Sequence, residues 1–207
     1  MWSLQTRNCV NNCEVATAKE QRKNIAPKDK RFVWLDLEMT GLNPRKDAIL
    51  EIACVVTDGN LEVIAQGPDI IIAQSESTLS AMDKWCTLTH KKTGLYDLVL
   101  KSETSVEDAE RQTLAFLRQH TKENYAQLAG NSVWMDRVFL MHHMPRLYDF
   151  LHYRTIDVST IKELAHCWYF KNPKLQFKKQ NAHRALDDIF ESIQELKHYK
   201  NAFFVEE

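Results

Sequence analysis

The sequence predicts a single α/β domain in which helices flank a mixed β-sheet. With 207 residues, 44% of them hydrophobic, the chain is long enough to bury one sizeable core. The first apolar segments are short and separated by turn residues, which is typical of an antiparallel meander of three strands. Helical and extended segments then alternate, and this alternation adds two further strands with helices between them.

The meander is predicted from β-branched and aromatic residues bounded by turn signals. Asp58-Gly59-Asn60 is a hairpin signal between two such runs. Gly67-Pro68 interrupts the third run, because proline and glycine are unfavourable inside a strand. The predicted extended segments are 32–38, 48–57, 61–65 and 69–73, with a turn at 40–44.

The remaining elements are predicted from helical periodicity and from capping signals. A broken helical stretch starts at Glu76 and stops at Gly94. Thr104-Ser105-Val106-Glu107 is a capping box, Pro145 ends one helix and Ser159 caps the next. The predicted helices are 105–120, 134–144, 159–168 and 184–200, and the predicted strands between them are 127–130 and 153–158.

Residues 1–31 are predicted to form a tail outside the domain, which spans 32–207. The tail lacks periodicity and holds seven basic against three acidic residues. Such a polar composition favours disorder. A basic, acid-poor N-terminus also fits a mitochondrial targeting segment, although the helical amphipathicity is weak, so both interpretations stay open.

Charge, hydropathy and cysteine content narrow the classes of protein. The net charge of −1 provides no overall basic field of the kind that long nucleic acids attract. No apolar run reaches the roughly 20 residues of a membrane span, so no membrane association is expected. The five cysteines are scattered, which predicts free thiols in an intracellular protein of the cytoplasm or mitochondrion, with the nucleus left open.

Two carboxylates, Asp36 and Glu38, lie in the middle of the first predicted strand. Residues i and i+2 share one face of a strand about 6.6 Å apart, so both side chains can converge on one point. Apolar residues fill the alternate face. A bound cation relieves the repulsion between two such anions, and so does solvent if the strand lies at an edge. The pair alone does not decide between these two interpretations.

Two other regions supply further acids and one histidine. Asp136 lies one turn into the helix that follows the strand ending at Gly130, near the strand ends where α/β folds bind ligands. An acid at this position also simply offsets the helix dipole. Near the C-terminus, Asp187 and Asp188 flank the apolar face of the last helix equally, so periodicity does not choose between them. His183, taken alone, is more typical of a surface or capping histidine than of a base.

Together these regions contain the groups needed for two-metal hydrolysis of a phosphodiester. Carboxylate oxygens are the preferred ligands of Mg²⁺ and Mn²⁺. Two such ions clamp the attacking and leaving oxygens of the reaction. A histidine whose pKa is near neutral can accept the proton of the attacking water. The sequence therefore predicts a hydrolytic site built from the strand, the middle helix and the C-terminal helix.

Several segments occur in a characteristic order along the chain: Trp34-Leu35-Asp36-Leu37-Glu38-Met39-Thr40-Gly41-Leu42, Gly130-Asn131-Ser132, Asp136-Arg137, His152-Tyr153-Arg154, Ile156-Asp157-Val158-Ser159-Thr160, Lys162-Glu163-Leu164 and His183-Arg184-Ala185-Leu186-Asp187-Asp188. This ordered set resembles the DEDDh exonucleases of the RNase H-like superfamily and, within them, the oligoribonuclease family. The resemblance covers nearly all of 32–204. It implies an RNase H-like mixed sheet and a metal-dependent 3′-to-5′ exoribonuclease.

The resemblance also implies the catalytic residues. In the family the last acid follows the histidine by five residues, which selects Asp188 and leaves Asp187 as a flanking acid. His183 is implied to be the general base. Two Mg²⁺ or Mn²⁺ ions are implied, with Asp36 bridging them and Asp136 acting partly through water. The implied metal ligands are Asp36, Glu38, Asp136 and Asp188.

Members of that family act on very short RNAs, chiefly dinucleotides, and the resemblance implies the same here. Leu42 is implied to wedge between the two bases and Trp85 to stack on one of them. The family is a homodimer in which His90 and Tyr153 reach the substrate of the partner. Trp85 and Tyr153 also fit core aromatics, and Ser159 also fits a helix cap. The implied cap over the 5′ phosphate consists of Ser132, Arg154, Ser159 and Thr160.

The surroundings of Asp136 depart from the family pattern. Met135 precedes it where a polar residue is common, and Arg137-Val138 stands where a basic pair often follows. Two alternative functions are an exonuclease that trims longer RNA or DNA and an inactive nucleotide-binding scaffold. The near-neutral charge disfavours the first alternative, and the complete set of active-site residues disfavours the second.

Overall fold

A five-stranded mixed sheet forms the centre of the computed structural model, which describes residues 26–169, 171–172, 177 and 183–204. The strands lie in the order β3-β2-β1-β4-β5. β1 pairs antiparallel with β2 and parallel with β4, β3 extends the antiparallel side, and β5 extends the parallel side. The predicted mixed sheet, a three-stranded meander plus two further strands, is confirmed. The strand bounds are β1 Phe32–Met39, β2 Ile49–Thr57, β3 Val63–Ile71, β4 Gln127–Gly130 and β5 His152–Asp157.

Helices flank both faces of the sheet, as expected from the alternating pattern. Within the described part of the chain they are α1 Glu76–Ser80, α2 Lys84–Lys92, α3 Leu95–Lys101, α4 Val106–His120, α5 Trp134–His143, α6 Pro145–Phe150, α7 Val158–Trp168 and α8 Ala185–Phe203. The N-cap of α4 lies one residue later than the predicted capping box places it, since the side chain of Ser105, and not that of Thr104, accepts from the Asp108 amide.

β1 is the central strand, and each of its faces packs against different helices. The alternate residues from Val33 to Leu37 belong to a core shared with α4, α5 and α6. On the opposite face, Trp34 is buried against α8, and its indole N–H donates to Thr57 Oγ1 at 2.9 Å. Because alternate residues of a strand share a face, Asp36 and Glu38 also lie on the α8 side. The buried position of Trp34 thus fixes the direction of both carboxylates.

Two other local predictions are wrong. β3 continues through Gly67-Pro68, where its register against β2 shifts, because an edge strand tolerates a residue that cannot donate a ladder hydrogen bond. Asp157, and not Ser159, is the N-cap of α7, since its Oδ1 accepts from the Ser159 amide at 3.0 Å. The cap carboxylate becomes part of the site described below.

Residues 26–31, predicted as the end of the tail, contact the domain. The Gly59 amide donates to the Pro27 carbonyl at 2.8 Å, and the Tyr125 hydroxyl donates to the Asp29 carbonyl at 3.0 Å. The predictions of disorder and targeting fall mainly on positions 1–25, which lie outside the described residues. No helix in the described part of the chain has the length and hydropathy of a membrane-spanning segment.

Candidate active site

Three carboxylates from two elements converge beside β1. Asp36 and Glu38 project from the strand and Asp188 from the first turn of α8, and one oxygen of each lies within 4.8 Å of the others. The fold brings them together because α8 packs against the face of β1 that carries Trp34. Asp187, the neighbour that periodicity could not exclude, is exposed. The structure thus resolves the choice between the two acids in favour of Asp188.

This acidic cluster is electrostatically unfavourable without a counter-charge. The pKa of Glu38 rises from 4.5 to about 8, first because of burial and then because of the charges of Asp188, Glu51 and Asp136. Such a site favours either a proton or a cation. Three partly buried carboxylates are suited to a hard divalent metal ion, and they form an acidic metal-binding cluster.

In metal-free protein, we expect Glu38→Gln to raise thermal stability at pH 8 and to change it little at pH 5. The pKa of folded Glu38 lies above its ordinary value, so between pH 5 and pH 8 the folded chain holds a proton that the unfolded chain has already mostly released. The free energy of unfolding therefore falls as the pH rises, and the amide removes this loss. We expect a gain of about 3–6 °C in Tm at pH 8, measured in EDTA.

Adding Mn²⁺ is expected to reverse the order, since only the carboxylate binds the ion strongly. The exposed residue Glu123 provides a matched control, Glu123→Gln, for which the pH dependence of Tm should keep its wild-type form. A Tm difference between Glu38→Gln and wild type that is equal at pH 5 and pH 8 contradicts the electrostatic account.

Asp136 lies next to this cluster but is not one of its three members. Its carboxylate is buried, and Oδ1 accepts a hydrogen bond from the Leu37 amide of β1 at 2.9 Å. Burial raises the pKa of Asp136. One of its oxygens is thus used to tie the start of α5 to the strand. The metal ligation implied for Asp136, partly through water, therefore stays a prediction, and its link to β1 is what the structure establishes.

His183 lies just before α8, and its backbone adopts a left-handed conformation with φ of 54°. Its ring contacts the edge of Trp85, with the ring centroids 5.9 Å apart. Trp85 is 63% exposed, so it is not the core aromatic that the sequence left as an alternative. A histidine with an exposed aromatic neighbour beside the acidic cluster is suited to act as a general base next to a bound nucleotide.

His90 is buried beside the acidic cluster of its own chain. It is 1% exposed, and its Nε2 donates to the Met39 carbonyl at 2.9 Å. Its Nδ1 lies 3.9 Å from Glu38 Oε2 and has no hydrogen-bond partner in the described structure. Burial lowers the pKa of His90. The contact of His90 with the substrate of a partner subunit stays a prediction, and the structure shows the ring packed beside the carboxylates of its own chain.

Ser132 and Ser159, two residues of the predicted phosphate cap, meet where α5 and α7 begin. The Ser132 amide donates to Asp157 Oδ1 at 3.0 Å and to Ser159 Oγ at 2.9 Å. Ser159 Oγ donates to Asn131 Oδ1 at 3.0 Å, and Ser132 has φ of 50°. Asp157 and Asn131 therefore hold the two serines, although their role was not predicted from the sequence.

The other predicted substrate residues are on the surface. Tyr153 is 68% exposed on β5, which excludes the alternative of a core aromatic, and the Arg154 guanidinium lies 5.4 Å from its ring centroid. Thr160 is exposed in the first turn of α7. Leu42 is 68% exposed in the loop after β1. Exposure of these side chains leaves them accessible to a ligand.

The loop that carries Leu42 is held by Asp47. Its Oδ1 accepts from the Thr40 hydroxyl at 3.0 Å and its Oδ2 accepts from the Asn43 amide at 2.8 Å. The sequence analysis did not identify this role, since an aspartate in a polar turn gives no distinctive signal.

Glu51 is a second residue beside the site that was not identified from sequence. It is 0% exposed on β2, directly opposite Glu38 in the antiparallel register. Its carboxylate accepts from Arg184, with the shortest contact 2.6 Å from Nη2 to Oε1. One feature of the sequence could have identified Glu51: it is the only acidic residue in the apolar run that forms β2.

Comparison with known proteins places this geometry in a family. The exonuclease family model RNase_T matches residues 33–196. The oligoribonuclease of Vibrio cholerae is 51% identical over 176 residues, which cover 85% of this chain and 97% of the relative. The chain belongs to the oligoribonuclease family. The mitochondrial oligoribonuclease of Mus musculus is 49% identical over 175 residues, covering 84% of this chain and 74% of that relative.

Solved structures with low sequence identity show the fold. Exonuclease I from Methylocaldum szegediense superposes with a TM-score of 0.62 at 14% identity, covering 84% of this chain and 41% of that chain. Escherichia coli exonuclease I, in a zinc-bound complex with single-stranded DNA, gives 0.60 at 16% identity with the same coverage. This oligoribonuclease-family chain therefore spans about two fifths of those longer proteins, and it shares their RNase H-like fold. As a family member it is a nuclease hydrolase with 3′-to-5′ exoribonuclease activity.

Proposed function

We propose that this exoribonuclease degrades dinucleotides and short oligoribonucleotides to mononucleotides with the help of two Mg²⁺ or Mn²⁺ ions. The observation that carries the proposal is the convergence of Asp36, Glu38 and Asp188 within 4.8 Å. The relatives that match over most of this chain are named oligoribonucleases, and this name supports a short RNA as the substrate.

The proposed reaction is attack of water on the last phosphodiester of the RNA. His183 accepts a proton from the water, the P–O3′ bond breaks, and the upstream 3′ oxygen takes up a proton. The released nucleotide keeps its 5′ phosphate. Asp36 and Glu38 hold the ions from the strand and Asp188 holds them from α8, while Asp136 contributes through water. Bound ions stabilise the charge that develops on the phosphate oxygens.

We assign the upstream phosphate to the cap at the start of α7. The Ser132 and Ser159 amides donate to Asp157, and the Ser159 hydroxyl donates to Asn131. The Ser132 and Thr160 hydroxyls are therefore assigned as donors to the phosphate, and the Ser159 hydroxyl has to turn away from Asn131 to join them. The negative charge of the Asp157 carboxylate repels a phosphate. Arg154 supplies the positive charge that offsets this repulsion, because guanidinium pairs well with phosphate. A cap of this kind limits substrate length, since a longer chain has to pass through it.

We assign the binding of the substrate bases to two exposed apolar side chains. Trp85 offers a ring for stacking next to His183, and such stacking contributes about 1–3 kcal/mol per base. Leu42 projects from a loop that Asp47 holds in place, which suits a wedge between two bases. Both assignments rest on the exposure of these side chains.

Arg154→Ala is expected to reduce kcat/KM for a 5′-phosphorylated dinucleotide by about 10–100-fold, because a charge-assisted contact to the phosphate is lost. A 20-nucleotide RNA has no 5′ phosphate at the cap, so its slower turnover should change less than about threefold. The measurement compares 5′-labelled RNAs of two, five and twenty nucleotides with Mn²⁺, with and without EDTA.

The exposed residue Arg111, paired with Asp108 on α4, provides a matched arginine-to-alanine control. Equal turnover of the dinucleotide by Arg154→Ala and wild type would remove the cap assignment. Faster turnover of the 20-mer by wild type favours an exonuclease for longer chains. Binding without cleavage of any length favours the inactive scaffold.

We further propose a homodimer in which Tyr153 of one subunit reaches the substrate of the other. Its 68% exposure on the edge strand β5 supports a contact beyond its own chain. Localisation inside the cell, in the cytoplasm or the mitochondrion, is also a proposal. Free thiols at Cys54, Cys86 and Cys167 and the mitochondrial relative from mouse support it.

A further inference from the structure

A buried ion pair joins β2 to the segment that carries His183. Glu51 is completely buried, whereas the Arg184 side chain is 29% exposed. Arg184 Nε donates to both Glu51 oxygens, at 2.9 and 3.2 Å, and Nη2 donates to Oε1 at 2.6 Å. The guanidinium thus makes these hydrogen bonds to the Glu51 carboxylate, while Asp69 Oδ2 lies 4.0 Å from Nη2 in a weaker ion pair. An ammonium group does not reproduce this directional contact with Glu51.

The same carboxylate also binds the backbone at the start of α8. Glu51 Oε2 accepts from the Ala185 amide at 3.1 Å, so both the side chain of residue 184 and the backbone of residue 185 are attached to β2. A carboxylate at this end of a helix is also stabilised by the helix dipole. β2 is hydrogen-bonded to β1 along its length. The attachment to β2 therefore fixes the start of α8 relative to β1, the strand that carries Asp36.

His183 is the residue immediately before this attachment, and its backbone needs support. A φ of 54° is unfavourable for a residue with a side chain and persists only when its surroundings hold it. The Trp85 ring lies nearly perpendicular to the His183 imidazole, while the Arg184 contacts fix the backbone on the C-terminal side of His183.

We propose that the Glu51–Arg184 pair is a positioning device that holds His183 where it accepts the proton of the attacking water. Glu51 and Arg184 are positioning residues and do not touch the substrate. The proposal rests on the proposed function, in which His183 is the base. It explains why a buried charge lies in an otherwise apolar strand, since buried ion pairs contribute little net stability and are better suited to fixing one arrangement.

Arg184→Lys tests the proposal, because it keeps the charge and removes the bidentate contact. We expect kcat for a dinucleotide to fall about 10–100-fold, as a small misplacement of a catalytic group does. KM and the Kd for Mn²⁺ should stay within about twofold. Glu51→Gln, which keeps the shape of the carboxylate, is the second variant in case the first does not fold, as judged by circular dichroism and Tm.

The decisive measurement repeats both substitutions in a His183→Asn background. If the pair acts through His183, the substitutions should change kcat there by less than about twofold, because the group they position is gone. A matched control is Lys197→Met on the same helix, where Lys197 pairs with Glu62 at 3.0 Å on the surface. That variant should keep wild-type kcat in both backgrounds.

The possible outcomes separate this proposal from the proposed function. An equal drop in kcat in both backgrounds, an unchanged kcat in both, or a weakened Kd for Mn²⁺ in Arg184→Lys, which keeps the charge, overturns the positioning role. If His183→Asn alone keeps the wild-type kcat, the assignment of the base fails, and the positioning role fails with it. If His183→Asn lowers kcat but neither Arg184→Lys nor Glu51→Gln does, only the positioning role is lost.

Discussion

Asp188→Asn is expected to lower kcat for a dinucleotide by about 10²–10³-fold or more, whereas Asp187→Asn is expected to keep it within about threefold. Asp188 is one of three carboxylates whose oxygens lie within 4.8 Å of one another, so its amide removes a charge from the metal cluster. Loss of one such electrostatic contact commonly has an effect of this size. Asp187 is exposed one residue earlier on the same helix.

The comparison is sharp because the two variants make the same chemical change at neighbouring positions. Each is assayed with the dinucleotide over a range of Mn²⁺ concentrations, and Mn²⁺ binding is measured directly by calorimetry. Asp188→Asn should weaken binding and should not recover fully at high Mn²⁺. Equal activity of the two variants would show that the cluster of Asp36, Glu38 and Asp188 does not hold the metal.

His183→Asn is expected to reduce kcat by about 10²–10⁴-fold while the Kd for Mn²⁺ changes little. General-base catalysis by a positioned side chain has this magnitude, and asparagine cannot accept the proton at neutral pH. Because His183 is not one of the three clustered carboxylates, metal binding should survive. We also expect the pH–rate profile of kcat, measured from pH 5.5 to 9, to change its shape in the variant.

The surface residue His142 on α5 provides the control for this substitution. Its Nδ1 contacts the Val138 carbonyl one turn earlier in the same helix, so His142→Asn should keep wild-type kcat and the wild-type pH profile. A His183→Asn enzyme with unchanged kcat would require another group to accept the proton. The buried His90, whose Nδ1 lies 3.9 Å from Glu38, would then be the next residue to substitute.

Local signals predicted most of the fold. The strands, the capped helix α4 and the mixed order of the sheet follow from patterns a few residues long, and the structure agrees with them. The two acids of β1 were placed on one face for the same reason, since a strand alternates its side chains. Where a residue has two suitable local roles, local signals are weaker, as the cap at Asp157 in place of Ser159 shows.

Distances between remote segments were beyond the reach of these patterns. His90 and Met39 are far apart in sequence, and their hydrogen bond shows that the histidine packs against the end of β1. Glu51 and Arg184 meet across the junction of β2 and α8. Neither contact produces a periodic pattern in the sequence. The first depends on how α2 packs against the sheet, and the second depends on how α8 does.

The sequence by itself determined the kind of chemistry available here: Asp36 and Glu38 on one strand face, further acids downstream, and a histidine before the last helix. The tertiary structure decided which of these groups meet. Helical periodicity placed Asp187 and Asp188 equally far from the apolar face, whereas packing of α8 against Trp34 brings only Asp188 to the strand acids. The physical reason is that a metal site requires oxygens within a few ångströms, and that separation is set by packing between elements and not within them.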